Sequence, residues 1–406
     1  MCKKIGFLYL IMLLPFSVAF AADFGVVFGG TPGYDSTTDP GFVLTGNVHP
    51  WVSAILSPTV NLYVSAALSL SYEHEDPQPF LPELDRTELV WQPAPAALVQ
   101  FGRQRFWDSA GLIATGLFDG ARVSRGYEKA RFSLGAFYTG LLYKETVEIL
   151  MTGPDRSDYT EKFSYDDPAN YFASRRVVVP LSVEFPDLTL RSSLNLNVIG
   201  QFDVNTRDGE GNTLHSQYLE IHYLAEPWEP LHISIAAATG LAEDPDLRLG
   251  LAASAGADWE LPTAVPDSLS LQFRWSSGRV NDTMGAFSPI NSISPGEIFT
   301  PRFSALMYGK TAYTVRPHKT LSATAGAGYF IRTDTETLGD PEFDPNTGAD
   351  SRRLLGGEMY GFLVWAPDAV IRITALAGAF FPGWGDVFVS GAAIRWKTSL
   401  GLMVSF

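Results

Sequence analysis

The chain has 406 residues, with 44 acidic and 29 basic side chains and a formal net charge of −15. This acidity argues against nucleic acid as a partner. A mean hydropathy of +0.05 is unlike a helical membrane protein, and beyond the amino-terminal segment no run reaches the roughly 18 apolar residues that a membrane helix needs. The abundant glycine and aromatic residues fit membrane barrels and large soluble β proteins alike, so composition does not choose between them.

The amino terminus predicts export. The basic pair Lys3–Lys4 precedes an apolar run over residues 5–20, and Ala19–Ala21 supplies small residues at the two positions that a signal peptidase reads. We expect residues 1–21 to be a cleaved signal peptide and residues 22–406 to form one barrel domain; an uncleaved anchor is the alternative. The only cysteine, Cys2, lies upstream of the apolar run. The exported chain would therefore contain no disulfide and no cysteine site.

Apolar and polar residues alternate over long runs, and this alternation predicts β-strands with one apolar face. Strands of soluble proteins average about 5 or 6 residues, whereas a tilted strand needs roughly 9 to 11 to cross a bilayer. Many of the runs in this chain are of the longer kind, and several end in an aromatic residue that suits a membrane interface. Clear examples are residues 62–73, 188–203, 269–276, 320–332 and 371–381.

Short, often proline-bearing joints alternate with longer connections. Eight such joints predict an all-β, transmembrane, antiparallel up-and-down β-barrel of about 18 strands, with 16 strands as the alternative and a short first strand. Short turns would face the periplasm together with both termini, and long loops would face outward. The joints fall at residues 57–59, 92–95, 128–129, 186–187, 226–230, 262–267, 316–319 and 366–368.

The last seven residues form an alternating segment that ends on an aromatic residue. Its apolar positions are Leu400, Leu402, Val404 and Phe406. The segment resembles the carboxyl-terminal insertion signal of bacterial outer-membrane β-barrels. That resemblance implies outer-membrane lipid and the barrel-insertion machinery as partners.

Charged side chains recur on the faces that the alternation turns inward. With 16 to 18 strands the wall side chains cannot fill the interior, so a water-filled lumen is expected unless loops fold inward. Two readings stay open for each charge: it contacts a solute, or it braces the wall through an ion pair. The candidate pore-lining residues are Arg103, Arg105, Arg122, Arg191, Arg274, Arg332, Arg372, Glu88, Glu220 and Glu358.

One segment carries a more specific likeness. Gly102-Arg103-Gln104 is followed some fifteen residues later by Phe118-Asp119-Gly120. The pair resembles a motif of alginate-export-type and related 18-stranded barrels, where it belongs to neighbouring strands near a charged, constricted lumen. The resemblance implies that Arg103, Arg105 and Arg122 form a basic cluster facing an anionic solute, with Asp119 holding an arginine in place.

Two long loops leave alternatives open. Loop 144–173 is rich in aromatic residues and either folds into the pore mouth or stays outside. Loop 334–350 carries six acids, from Asp334 to Asp350, with no base among them until Arg352, so it is a solvated loop or a Ca²⁺ site. No Gly-x-Ser-x-Gly elbow and no metal-ligand spacing of histidines occurs, so we expect no enzyme, catalytic residue, metal or cofactor.

These patterns together predict an outer-membrane channel of the porin kind for small polar or charged solutes. The solute and the oligomeric state are not specified by the sequence. The alternative function is a plugged barrel that acts as a surface adhesin or a structural protein. A transporter of hydrophobic substrates is a third possibility, but few residues precede the first long strand to form a plug.

Overall fold

Eighteen antiparallel strands dominate the computed structural model, which describes residues 21–37, 41–73, 80–189, 191–205, 213–244, 246–280, 284–291, 293–345 and 352–406. The predicted signal peptide lies outside these residues, apart from Ala21. The strands are β1 (Ala21–Asp35), β2 (Phe42–Ser57), β3 (Val60–Glu73), β4 (Leu81–Ala94), β5 (Ala97–Trp107), β6 (Thr115–Gly126), β7 (Arg131–Tyr138), β8 (Arg176–Thr189), β9 (Ser192–Asp203), β10 (His215–Trp228), β11 (Leu231–Asp244), β12 (Asp246–Glu260), β13 (Asp267–Ser276), β14 (Leu306–His318), β15 (Leu321–Arg332), β16 (Leu354–Trp365), β17 (Ile371–Phe381) and β18 (Arg395–Ser405).

Each strand pairs with its neighbours in the sequence, and the last strand pairs with the first. Val27 of β1 lies opposite Ser405 of β18, and Phe406 exchanges two backbone hydrogen bonds of 3.0 and 2.9 Å with Val26. The sheet is therefore a closed ring with no free edge. The predicted all-β barrel of 18 strands is confirmed, and the alternative of 16 strands is wrong.

The eight short turns all lie at one end of the barrel, close to the predicted joints. Two details differ. The first strand is long, because β1 runs through 15 residues. The joint predicted at residues 186–187 lies inside β8, where the register shifts between Phe185 and Thr189, and the chain turns at Arg191 with a φ of 60°. Pro186 has no N–H to donate to a ladder, so it suits an irregular position within a strand.

The outer face of the barrel is apolar and carries aromatic residues at both ends. Outward side chains such as Leu219, Leu271 and Leu402 are about half exposed. At the opposite end from the short turns, Tyr34 stacks on Trp396 at 4.5 Å and Phe381 on Trp384 at 4.3 Å. Exposed tryptophans near the short turns are Trp91, Trp228, Trp259 and Trp365. An apolar band between two aromatic girdles is typical of a transmembrane barrel.

Within the described ranges the helices are short. Between β7 and β8 lie α1 (Lys144–Val147), α2 (Gly153–Thr160) and a 3₁₀ turn at Pro168–Tyr171; another 3₁₀ turn, Pro382–Trp384, follows β17. None of the helices in the described ranges is long and apolar enough to cross a bilayer.

The closing strand gives a first prediction. Deleting Phe406 removes two backbone hydrogen bonds and a ring contact with Phe28, whose centroid lies 6.2 Å away. We expect the deletion to lower the free energy of unfolding by about 2–3 kcal/mol in detergent, measured by urea titration. Phe24→Ala is the matched control, because Phe24 is 80% exposed near the same end. Equal losses in the two variants would contradict a special role for the closing contact.

Candidate functional site

The tip of the hairpin between β5 and β6, Asp108–Ala114, crosses the lumen. The Ser109 hydroxyl donates to Glu220 of β10 and accepts from Asn197 of β9 at 2.8 Å. A guanidinium N–H of Arg274, on β13, donates to the Gly111 carbonyl at 3.0 Å. Strands β10 and β13 stand four and seven positions from β6 in the ring, so the tip must lie inside the barrel. It forms a constriction that the sequence did not predict.

A single carboxylate shapes this hairpin tip. Asp108, 2% exposed, accepts hydrogen bonds from the backbone N–H groups of Leu112, Ile113 and Ala114 at 2.6–3.0 Å. The three donor residues are fully buried. Buried backbone donors need partners, and Asp108 supplies them where no neighbouring strand does.

The connection between β13 and β14, residues 277–305, is a second infolded segment, here called the inner loop. Its Ile290 N–H donates to Ile113 of the hairpin tip at 2.8 Å, and Phe287 packs against Tyr218 of β10. Glu358 of β16 is 1% exposed and accepts from three consecutive N–H groups of the loop, at Glu297, Ile298 and Phe299, at 3.0–3.1 Å. One wall carboxylate therefore fastens the inner loop to the barrel.

The connection between β7 and β8, residues 139–175, is the cap loop, and it packs in the mouth of the barrel. Arg176 of β8 bridges Asp155 of α2 at 2.6 Å and Asp203 of β9 at 2.7 Å, and all three side chains are fully buried. The amide of Asn291, in the inner loop, donates to the Val147 carbonyl at 2.7 Å. The open question about loop 144–173 is thus answered: it folds inward and rests on the inner loop.

The acidic loop, whose described residues are 333–345 and 352–353, forms ion pairs with Arg395 of β18 and with its own Arg352. Arg395 of β18 binds Asp340 and Glu342, each at 2.7 Å, and Arg352 binds Asp344 at 3.0 Å. The acidic run, which has no basic residue within it in the sequence, therefore acquires basic partners when the chain folds. Across the described residues no cluster of three or more His, Cys, Asp or Glu is placed to hold a metal ion, and Asp350 lies outside those residues.

The infolded segments leave two cavities in the lumen. The upper cavity, at the long-loop end, has a volume of about 760 Å³ and is bordered by Arg156, Arg248, Arg302 and Arg395 among others. The lower cavity, at the short-turn end, has a volume of about 970 Å³ and is bordered by Ser109 from the hairpin tip, with wall residues of β5 to β9. The hairpin tip and the inner loop lie between them.

Arg122 is the predicted residue that borders the lower cavity most directly. Its guanidinium donates twice to the Gln100 side-chain oxygen at 3.0 and 2.6 Å, and Gln100 donates to Glu88 at 2.6 Å. Glu88 also accepts from Arg86 and is 3% exposed. The structure thus brings Arg122 and Glu88 into one network on the wall, with Arg122 on its open side.

The motif residues Arg103 and Asp119 pair as expected, but the basic cluster implied with them is not assembled. Arg103 makes two 2.9 Å hydrogen bonds to Asp119 and a third to the Leu141 carbonyl of the cap loop, and it is 5% exposed. Arg122 is three residues from Asp119 along β6, so alternation places it on the other face. Arg105 is exposed and borders neither cavity. The three arginines therefore do not share one solute path.

The other predicted lining residues divide into anchors and rim residues. Arg274, Glu220 and Glu358 hold the hairpin tip or the inner loop, and Arg332, 1% exposed, donates to the Arg352 carbonyl of the acidic loop. Arg191 was expected on a strand wall but lies in a short turn, 3.4 Å from Glu229. Arg372 is exposed near the short-turn end of β17.

Sequence reasoning missed Arg156 and Arg302, which border the upper cavity from loops. Alternation carries no information outside strands, so no sequence signal placed these side chains. Arg248, on β12, borders the same cavity from the wall.

Comparisons with known proteins support the fold. No protein-family description and no curated protein matches the chain in sequence. Several solved structures share its fold. The Pseudomonas aeruginosa outer membrane protein OpdK matches with a TM-score of 0.61 and 10% identity, over 95% of this chain and 98% of its own. P. aeruginosa OccK2 (OpdF), solved in complex with glucuronate, matches with a TM-score of 0.60 and 10% identity, over 95% of this chain and 98% of its own. P. aeruginosa OprD matches with a TM-score of 0.55 and 11% identity, over 95% of this chain and 95% of its own.

Removing the Glu358 carboxylate tests the inner-loop anchor. Glu358→Ala leaves three backbone N–H groups without their acceptor, the buried one of Phe299 among them, so their hydrogen exchange should accelerate by at least about tenfold, measured by mass spectrometry. Glu358→Gln keeps one carbonyl oxygen and should give a smaller increase. The control is Glu184→Gln, a half-exposed wall carboxylate that pairs with Arg131. Unchanged exchange at residues 297–299 in the alanine variant would refute the anchor.

The acidic loop should detach in acid. Burial alone would raise the pKa of Asp340, but hydrogen bonds from Arg395 outweigh it and hold the pKa below the ordinary 3.8. A depressed pKa stabilises the anchored loop above about pH 3.8 and loses that contribution as the pH falls through the lowered value. The protection of residues 333–345 against hydrogen exchange, expressed relative to the intrinsic exchange rate at each pH, should therefore stay constant from neutral pH down to about pH 4 and fall below it.

Asp340→Asn should show that loss of protection already at neutral pH, because its amide cannot form the charged pair. Glu336→Gln changes an exposed acid of the same loop and should behave as the unmodified protein does. A loop that loosens near pH 6, or a Glu336 variant that loosens as much, would argue against the Asp340–Arg395 anchor.

Proposed function

We propose that the chain is an outer-membrane channel that passes small polar or charged solutes, with the hairpin tip and the inner loop as its constriction. The observation that carries the proposal is the pair of charged cavities, about 760 and 970 Å³, above and below the infolded segments. Both are large enough for a small metabolite. The solved structures that share the fold include OpdK with vanillate and OccK2 with glucuronate, two small carboxylates.

The proposed orientation places the long loops outside the cell and the short turns in the periplasm, together with both termini. Export would begin with cleavage after Ala21. Leu400, Leu402 and Phe406 are 49–72% exposed on the outer face, where insertion machinery and then lipid could contact them; Val404 lies on the same strand. The proposal includes no catalytic residue, metal or cofactor.

A plugged barrel that serves as a surface adhesin or structural protein is the second candidate. The observation in its favour is the hydrophobic cluster within the lumen, in which Phe106, Phe118 and Phe137 meet Phe287 and Phe303. Such packing resists displacement more than a polar loop would. A silent, correctly folded barrel would support this candidate and overturn the channel.

Conductance tests the proposal. The refolded protein in planar bilayers should give discrete, steady current steps in potassium chloride. Arg122→Glu replaces a positive by a negative charge beside the lower cavity, so it should favour cations by about 1 kcal/mol, roughly fivefold in the permeability ratio. The reversal potential in a salt gradient measures this ratio. Arg191→Glu makes the same charge change in a turn and should leave it unchanged. An unmoved reversal potential in the Arg122 variant would remove that residue from the solute path.

A further inference from the structure

The charges that border the lower cavity balance each other. The lining contains two basic and two acidic side chains, and Arg131 pairs with Glu184 at 3.2 Å. Arg122 donates to the side-chain oxygen of Gln100. Because neither sign of charge prevails, nothing in this lining favours an ionic solute over an uncharged one.

Hydroxyl groups form a row across three strands of this cavity. Ser124 of β6 lies directly opposite Ser133 of β7, and Ser133 lies opposite Ser182 of β8. The Cβ atoms of directly paired residues are about 4.5–5.5 Å apart, so the three hydroxyls stand side by side on the wall. Asn195 of β9 adds an amide to the same lining. Within the part of the chain that the structure describes, these four side chains have no hydrogen-bond partner, so they are free to bind a solute.

Trp107 supplies an aromatic surface to the lower cavity. It is 63% exposed and lies two residues before Ser109, which its contact with Glu220 holds inside the lumen. Its neighbour Phe106, by contrast, is 3% exposed within the hydrophobic cluster of the lumen. The exposed tryptophans near the short turns suit a girdle at the membrane interface, but a ring inside the lumen has no such role. A tryptophan left in water forgoes hydrophobic stabilisation, which a solute stacked on the ring would restore.

We propose that Trp107 and the row of serines form a binding site for an uncharged sugar in its pyranose form. The face of such a ring presents C–H groups, which are apolar and weakly positive, so they suit the negative face of an indole. The hydroxyl groups at the edge of the sugar both donate and accept hydrogen bonds. The serine hydroxyls and the Asn195 amide do the same, so each can pair with a sugar hydroxyl.

The size and polarity of the lower cavity agree with this class of solute. Its volume of about 970 Å³ accommodates a sugar ring. An aliphatic solute would displace water from the serines without offering hydrogen bonds in return, and this costs free energy. The site rests on the proposed function, because the lower cavity lies on the proposed solute path below the constriction.

Saturation-transfer NMR of the refolded barrel tests the site, in a detergent whose head group is not a sugar. The probes are glucose, sorbitol and glucuronate. Glucose should bind, with the strongest transfer at the C–H protons of one ring face. Sorbitol is an open chain without a flat face, so it should bind more weakly than glucose. Glucuronate keeps the ring and adds a carboxylate, so it should bind no more tightly than glucose.

Variants locate the contact through the dissociation constant of glucose. Trp107→Ala should weaken binding about tenfold, and Trp107→Phe should weaken it less, because a smaller ring still offers a stacking face. Ser182→Ala removes one hydroxyl of the row and should weaken binding about threefold. The Trp107 side chain is mostly exposed, so its replacement should leave the thermal unfolding of the barrel unchanged.

Two matched controls should leave glucose binding unchanged. Trp365→Ala removes an exposed tryptophan of the outer face, and Ser69→Ala removes a serine hydroxyl of β3 that borders neither cavity. Equal weakening by Trp107→Ala and Trp365→Ala would overturn the site, and so would the absence of glucose binding by the unmodified barrel. Sorbitol that binds as tightly as glucose would refute the stacking contact, and tighter binding of glucuronate would refute an uncharged solute.

The binding measurement does not depend on current, so the site and the channel can fail separately. A barrel that conducts but binds no sugar refutes the site and leaves the channel standing. A barrel that binds glucose at Trp107 but never conducts refutes the channel alone.

Discussion

Backbone hydrogen bonding in a medium without water is the constraint from which the rest of this structure follows. In lipid every strand needs two neighbours, so the sheet must close, and here β18 closes on β1. A ring of eighteen strands encloses more space than its inward side chains can fill. Connections between strands can enter that space, and the hairpin tip and the inner loop do so. The wide lumen of a closed ring of eighteen strands thus leaves room for the segments that form the constriction.

Segments that enter the lumen carry backbone groups with no strand beside them, and buried charges satisfy those groups. Asp108 accepts from three N–H groups of the hairpin tip, and Glu358 does the same for the inner loop. Arg176 joins the cap loop to two strands through a buried pair of acids. A buried carboxylate that loses such donors becomes costly, so each anchor holds its segment in one place. Half of the charges predicted to line the pore act in this way: Arg103, Arg274, Arg332, Glu220 and Glu358.

The sequence predicts the barrel well and the lumen poorly, for a physical reason. Alternation and turn residues are local, so strand number, joints and facing follow from them, as with Arg122 on the inner face. The same alternation separates Arg103 from Arg122. Arg103 lies opposite Asp119, and Asp119 and Arg122 stand three residues apart on β6, so they lie on different faces of the sheet. Infolding depends on contacts distant in sequence, such as Ser109 with Glu220, 111 residues apart. No local pattern encodes these contacts.

The distribution of charge explains how an acidic chain can enclose a cationic cavity. Three acids of the acidic loop, Asp340, Glu342 and Asp344, are bound by Arg395 and Arg352, so most of their charge is offset locally. The lower cavity is bordered by Arg122 and Arg131 together with Glu128 and Glu184, two charges of each sign. The upper cavity is bordered by six basic side chains and three acids, so its lining retains surplus positive charge. Low-dielectric walls concentrate the field of such a surplus, so the electrostatic potential at the long-loop end of the lumen is more positive than in the balanced compartment below the constriction.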